Sequence, residues 1–293
     1  MQNINSKYTF NHMINFMPIL QLMRPKQWVK NAFVIAPLLF SGLFTDILSV
    51  QHTLFAFIIF CLASSATYVL NDYNDIENDR KHPVKSKTRP LASDEVSKPQ
   101  ALILIGILYG IVALSALIYP KVIAVVVAYL LLNVAYTFHL KYQPVLDIFT
   151  IATGFVLRVY AGTVSLDVPL SSWMFITTLS LALFLAAIKR RQELIKSGNK
   201  ARSVLQFYTI ELVDKYAEMS ATCAILFYSL YVISDKPDMV YTIPFVLFGL
   251  YRYWFIVESK HSGESPTDAL FADRWLQLTI FGWIAACLYS LTV

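Results

Sequence analysis

Apolar residues along this chain fall into blocks of about 20, the length needed to cross a hydrocarbon core of about 30 Å. Short stretches between the blocks hold nearly all the charge. A scan for apolar runs of about 19 residues predicts nine spans: 29–45, 51–70, 100–118, 121–138, 145–164, 171–189, 216–233, 240–257 and 274–291. Pro37 and Gly42 interrupt the first, a break that membrane helices tolerate where neighbours satisfy the freed backbone groups. Only Pro120 and Lys121 part the third span from the fourth, which predicts a tight hairpin. No block alternates apolar with polar, so a β-barrel is excluded. The expected fold is all-α, a polytopic bundle of about nine transmembrane helices formed as a single domain by residues 24–293. Residues 1–23 read as an amphipathic lead-in lying on the membrane surface, with no cleavable leader.

Composition agrees. Of 293 residues, 57% are hydrophobic and only 15% charged, where a soluble domain carries nearer a quarter charged. Cys61, Cys223 and Cys287 all lie inside apolar blocks without a CxxC partner, so neither a disulfide frame nor a zinc site is expected. The net charge of +5 does not imply nucleic acid, because the basic residues follow topology. With the N-terminus inside, every Lys and Arg falls on the inner side except Lys121, Lys236 and the intramembrane Arg158. That asymmetry predicts a cytoplasmic N-terminus and an outer C-terminus in an inner (plasma) membrane. The long inner loops, 71–99 and 190–215, are where polar chemistry is expected.

The second span runs into Asn71-Asp72-Tyr73-Asn74-Asp75-Ile76-Glu77-Asn78-Asp79. The i, i+3, i+7 spacing of Asp72, Asp75 and Asp79 puts three carboxylates on one face of a continuing helix. Crowded carboxylates need a cation. Hard oxygen ligands suit Mg²⁺, which binds through a few carboxylates plus substrate phosphates. The bases that follow, among them Lys85 and Arg89, are placed to neutralise a diphosphate. Arg158 lies eleven residues past Asp147, so about 16 Å deeper. Intramembrane arginines mark functional sites by default. Lys189-Arg190-Arg191 closes the sixth span and is explained equally well as an inner positive stop.

The pattern Asn71-Asp72-x-x-Asp75-x-x-x-Asp79, with Lys85 and Arg89-Pro90, resembles the first aspartate-rich motif of the UbiA superfamily of intramembrane prenyltransferases. One branch, the decaprenyl-phosphate phosphoribosyltransferases, is resembled further. Its Asp-Arg-x-His-Pro-x-Lys run is matched from Asp79 to Lys85. Further matches are Arg24-Pro25-Lys26-Gln27-Trp28-Val29-Lys30-Asn31, Tyr136 with Leu140-Lys141, Arg158 with Ala161-Gly162, and Lys189-Arg190 with Glu193-Leu194. Gly263-Glu264, Asp268 and Asp273-Arg274 complete the set. Two departures stand out. Asp94 replaces a glycine usual after the Arg-Pro, and only Asp147 remains of a second acidic motif, because position 151 is Ile.

The resemblance implies transfer of 5-phosphoribose from phosphoribosyl diphosphate to a polyprenyl phosphate, feeding arabinose-containing envelope glycans. Mg²⁺ is the implied cofactor. The implied metal and catalytic residues are Asp72, Asp75 and Asp79. The implied substrate-binding set is Lys30, Asn31, Asn71, Lys85, Arg89, Tyr136, Lys141, Arg158, Lys189 and Arg190. Two alternatives stay open: an aromatic prenyltransferase of the same superfamily and a transporter of an anionic lipid. The sequence sets no oligomeric state.

Overall fold

The computed structural model describes residues 16–81, 84–197, 203–260 and 266–292, and among these every regular element is helical. Most of the lead-in, residues 1–15, lies outside them, as do His82, Pro83, Gly263 and Glu264 of the quoted motifs. Among the described residues eight helices are long and apolar enough to cross a membrane: α3 (Ile47–Asn74), α6 (Lys98–Leu114) with the 3-10 turn Ser115–Leu117 that continues it, α7 (Pro120–Phe138), α8 (Leu146–Ser165), α9 (Ser172–Ser197), α10 (Ile210–Asp235), α11 (Ile243–Lys260) and α13 (Arg274–Thr292). Short helices α1 (Phe16–Leu22), α2 (Ala36–Phe40), α4 (Ile76–Lys81), α5 (Lys85–Thr88) and α12 (Pro266–Ala272) lie between and before them.

The expected first span differs. Residues 29–45 form a 3-10 stretch ending at Val34, then α2, then a second 3-10 turn, Leu43–Thr45. Gly42 adopts φ +75° at the junction, which no other residue type takes as cheaply. Pro37 opens α2, where its missing N–H costs no helical hydrogen bond.

The chain forms two compact units, residues 1–25 with 64–110, and residues 26–63 with 111–293. The first packs Leu22 of α1 with Val69, Ile76, Leu91, Val96 and Ala101. Ser65 Oγ donates to the Met23 carbonyl at 2.9 Å, fastening the end of α1 to α3. In the second unit, Phe184, Ala187 and Ile188 of α9 bury against Val213 and Ala217 of α10 and Ile256 of α11. A second cluster joins Phe60, Val126, Tyr129 and Ala161. Gly162 of α8 lies under α2, and a Cβ there would stand 2.1 Å from the Val34 carbonyl oxygen. Large apolar side chains such as Ile103, Leu131 and Phe281 point outward. That is the lipid-facing surface expected of a membrane bundle.

Candidate active site

The acidic motif ends α3 and opens α4. Asp75 is a turn residue between them, yet the helical pattern persists, because the Asp75 and Asp79 amides donate to the Asn71 and Asp75 carbonyls at 3.0 and 2.8 Å. Residues seven apart on a helix differ by about 20° and residues three apart by about 60°. Accordingly Asp72 and Asp79 share the buried face, while Asp75, at its margin, is exposed.

Each buried acid has met a base. Asp72 Oδ1 accepts from Arg24 Nη2 and, at 2.6 Å, from Arg89 Nη1. Asp79 pairs with Lys85 at 3.0 Å. Arg24 reaches Asp72 from a left-handed residue, φ +55°, directly after α1, with its guanidinium 4.9 Å from the centre of the Tyr68 ring. The other oxygen, Asp72 Oδ2, is buried without a hydrogen-bond partner among the described residues. Such an atom carries a desolvation cost of about 1–3 kcal/mol, more where it is charged. A cation at Oδ2 would remove that cost, and carboxylate oxygens are the donors Mg²⁺ prefers. Among the described residues no three acids are drawn together into a ready-made metal cage. Asn71, partly buried, adjoins Asp72.

The second unit holds two buried arginines of opposite character. Arg158 on α8 donates to the Asn31 side-chain oxygen at 2.7 Å, the Gly154 carbonyl at 2.8 Å and the Tyr129 hydroxyl at 3.1 Å. All three are neutral, and the Tyr129 ring centre lies 4.7 Å from its guanidinium carbon. Asn31 is fixed in turn by donating to Cys61 Sγ at 3.3 Å. Arg190 on α9 instead meets two acids. Its Nε donates to Asp147 Oδ2 at 2.6 Å, Nη1 to Glu193, and Nη2 to the Tyr136 hydroxyl at 2.9 Å. The Tyr208 hydroxyl donates to Asp147 Oδ1 at 2.6 Å and accepts from the Val145 amide at 2.6 Å. Burial first, and then the bond to Asp147, push the Tyr208 phenol well above its usual range.

The remaining basic residues are more open. Lys30 contributes to the wall of an apolar cavity, and Lys141, partly buried, lies 5.0 Å from the centre of the Tyr142 ring. Lys189 is partly buried beside Arg190 on α9. Arg191 does not reach for substrate: it joins Asp214 on α10 and Glu258 on α11, both at 2.6 Å. The cavity, about 710 Å³, is lined by Phe33, Phe155, Trp173, Phe184, Tyr253 and Trp283 among others, and Lys30 is the one charged residue among the described residues of its wall.

The sequence gives Asn31 no partner, shows Asp147 only as a remnant, and does not mark Arg24 or Tyr208 as site residues. The structure joins Asn31 to Arg158, joins Asp147 to Arg190, and brings in Arg24 and Tyr208. Arg24 was visible only as part of a flanking basic run, and no local signal marks Tyr208.

Comparison with known proteins agrees with this architecture. The UbiA prenyltransferase family profile matches residues 34–290. The decaprenyl-phosphate phosphoribosyltransferase of Mycolicibacterium smegmatis is 34% identical over 288 residues, spanning 91% of this chain and 90% of the relative. That of Mycobacterium tuberculosis is 35% identical over 281 residues, spanning 91% and 92%. A UbiA homologue from Archaeoglobus fulgidus, solved with GPP and Mg²⁺, superposes with a TM-score of 0.70 at 18% identity, over 94% of this chain and all of that one, and so shares the fold. The chain is a multi-pass membrane transferase and belongs to the UbiA prenyltransferase family.

Proposed function

We propose that this transferase moves 5-phosphoribose from phosphoribosyl diphosphate to a polyprenyl phosphate and depends on Mg²⁺. The observation that carries the proposal is the buried Asp72 carboxylate, with two guanidiniums on one oxygen and, among the described residues, no hydrogen-bond partner on the other. The choice of donor rests on the relatives, which carry that activity in their names at about 35% identity. Asp72, Asp75 and Asp79 are the residues proposed to hold Mg²⁺, which when bound supplies positive charge to a departing diphosphate. Arg89 and Lys85, already paired with these acids, add charge-assisted hydrogen bonds to the same group.

In the reaction the C1–O bond to diphosphate breaks as an oxygen of the lipid phosphate bonds to C1. The nucleophile is already anionic, so no side chain has to remove a proton. Lys30, Lys141, Arg158 and Lys189 are proposed to recognise substrate phosphates. Arg158 is the strongest of these, because its hydrogen-bond partners among the described residues, Asn31, Gly154 and Tyr129, are all neutral. The apolar cavity is proposed to take isoprenoid chain.

Purified protein should release diphosphate from phosphoribosyl diphosphate only with Mg²⁺ and a polyprenyl phosphate present. Turnover of a prenyl diphosphate with an aromatic acceptor, and none of phosphoribosyl diphosphate, overturns the donor assignment. We also propose that residues 80–98 and 190–212 are cytoplasmic. A cysteine engineered at position 87 should resist an impermeant label in intact cells, and one appended after Val293 should react. The reverse pattern refutes this orientation.

A further inference from the structure

Asp147, which the family resemblance marks as the remnant of a second acidic motif, already accepts a hydrogen bond on each oxygen. One accepts from Arg190 and the other from Tyr208, each at 2.6 Å, and the residue is fully buried. A carboxylate that is fully buried, charge-paired to an arginine and hydrogen-bonded on each oxygen is a poorer metal ligand than one with an open oxygen. It also has a different task, because the bonds run on: Tyr208 to Asp147, Asp147 to Arg190, and Arg190 to the hydroxyl of Tyr136. Along this run of bonds, Tyr136, which the family resemblance implies as a substrate contact, is partly open, whereas Arg190 has no exposed surface.

The far end of the chain is firmly anchored. Tyr208 follows a 3-10 turn, Ser203–Phe207, whose Val204 and Leu205 are fully buried. It precedes Thr209, which caps α10 by accepting from the Leu212 amide at 3.1 Å. Tyr208 also holds Val145, a β-branched residue at φ +68°, by accepting its amide hydrogen. Valine takes left-handed geometry only under constraint. That constraint sets the first turn of α8, and Asp147 belongs to that turn.

We propose that Tyr208 is a positioning residue, and that Asp147 is the fixed counter-ion through which it aims Arg190 and, beyond it, the Tyr136 hydroxyl, rather than a ligand of the metal. The proposal deepens the functional reading above and rests on Tyr136 as a substrate contact.

Two measurements on the full-length protein in detergent test it. The first is Mn²⁺ binding followed by electron paramagnetic resonance. Asp147→Asn should bind Mn²⁺ within about twofold of the unaltered protein, whereas Asp72→Asn should lose binding. A tenfold weakening in Asp147→Asn makes Asp147 a metal ligand and overturns the proposal. The second is a double-mutant cycle on kcat, run with whichever diphosphate donor the unaltered protein turns over. Donor identity thereby decides the functional reading separately from the cycle. Tyr208→Phe should lower kcat about tenfold, the worth of roughly one hydrogen bond, and leave KM for the donor within about twofold. In a Tyr136→Phe background the same substitution should cost less than about twofold, because the group it positions is gone. An equal cost in both backgrounds assigns Tyr208 to general support of the fold and overturns its positioning role. Tyr208→Phe keeps the buried ring, and if Asp147→Asn fails to fold, Tyr208→Phe itself takes its place in the Mn²⁺ measurement, with the same expected and overturning results.

Discussion

Two charge clusters in this protein are near mirror images. In one, a carboxylate is gripped by two arginines: Asp72 between Arg24 and Arg89. In the other, an arginine is gripped by two carboxylates: Arg190 between Asp147 and Glu193. They differ in what is left over. Every nitrogen of Arg190 donates, both oxygens of Asp147 accept, and Arg190 is wholly buried. At Asp72 one oxygen has no hydrogen-bond partner among the described residues, and the side chains of Arg24 and Arg89 are 24% and 25% exposed. A closed set of charges holds helices together. An open set has capacity left for something that arrives from outside. Count of charges does not distinguish scaffold from site here, whereas satisfaction and access do.

The largest effect should come from breaking the closed cluster. Arg190→Met takes the counter-charge from the fully buried Asp147, and removing one partner of a buried pair costs about 3–5 kcal/mol. Thermal unfolding in detergent should fall sharply, and adding Asp147→Asn to the same protein should recover part of the loss. A melt unchanged from the parent would remove the distinction between the clusters.

The open cluster should respond the other way. Asp72→Asn keeps the shape but loses the anion that pairs with both guanidiniums and is proposed to hold Mg²⁺. Turnover at saturating donor should fall at least about a hundredfold, the scale of losing one strong electrostatic contact to a transition state. Stability should change little, because half-open arginines return to solvent cheaply. A large fall in the melting temperature with activity per folded molecule retained would reverse the assignment.

This division explains what the sequence made legible. Blocks of about 20 apolar residues have one physical use, so the helical bundle follows from pattern alone, and eight spans lie within a few residues of their expected positions. The segment 29–45 has the right length and hydropathy, but whether Pro37 and Gly42 bend a helix or end it depends on neighbours not adjacent in sequence. The open cluster was legible because helical periodicity gathers its acids within eight residues. The closed cluster was not. Asp147 and Arg190 are 43 residues apart, and a basic residue at the inner end of a span is already explained by topology.

Helix approach offers a third, smaller contrast, because it depends on a missing atom and not on charge. Gly162→Ala places a methyl 2.1 Å from the Val34 carbonyl oxygen and 3.0 Å from Pro37. Backbone cannot rotate away as a side chain does, so α2 must shift. Overpacking of this kind costs about 1–3 kcal/mol. Gly154→Ala, whose nearest neighbour would be 3.6 Å away, is the control expected to melt like the parent. Equal melts for the two would show that α2 is free to yield.

The smallest effect sharpens the comparison at the rim of the open cluster. Asp94, standing in place of the usual glycine, has φ +61°, the left-handed geometry that glycine takes without strain and aspartate tolerates. Its carboxylate pairs with Arg80 at 2.5 Å, but the two side chains are 74% and 39% exposed, so the pair contributes at most about 1 kcal/mol. Backbone and charge therefore pull in opposite directions on substitution. Asp94→Gly loses the pair and relieves the backbone, for a net change within about 0.5 kcal/mol. Asp94→Ala loses the pair and keeps a Cβ where left-handed geometry costs about 1–2 kcal/mol. Melting curves should thus rank glycine near the parent and alanine below it. Raising ionic strength should narrow the gap between parent and glycine by screening the pair, while leaving the gap between glycine and alanine, which is steric, unchanged. If alanine matches glycine at every salt concentration, the loop does not depend on left-handed geometry at this position, and Asp94 is retained for its charge alone.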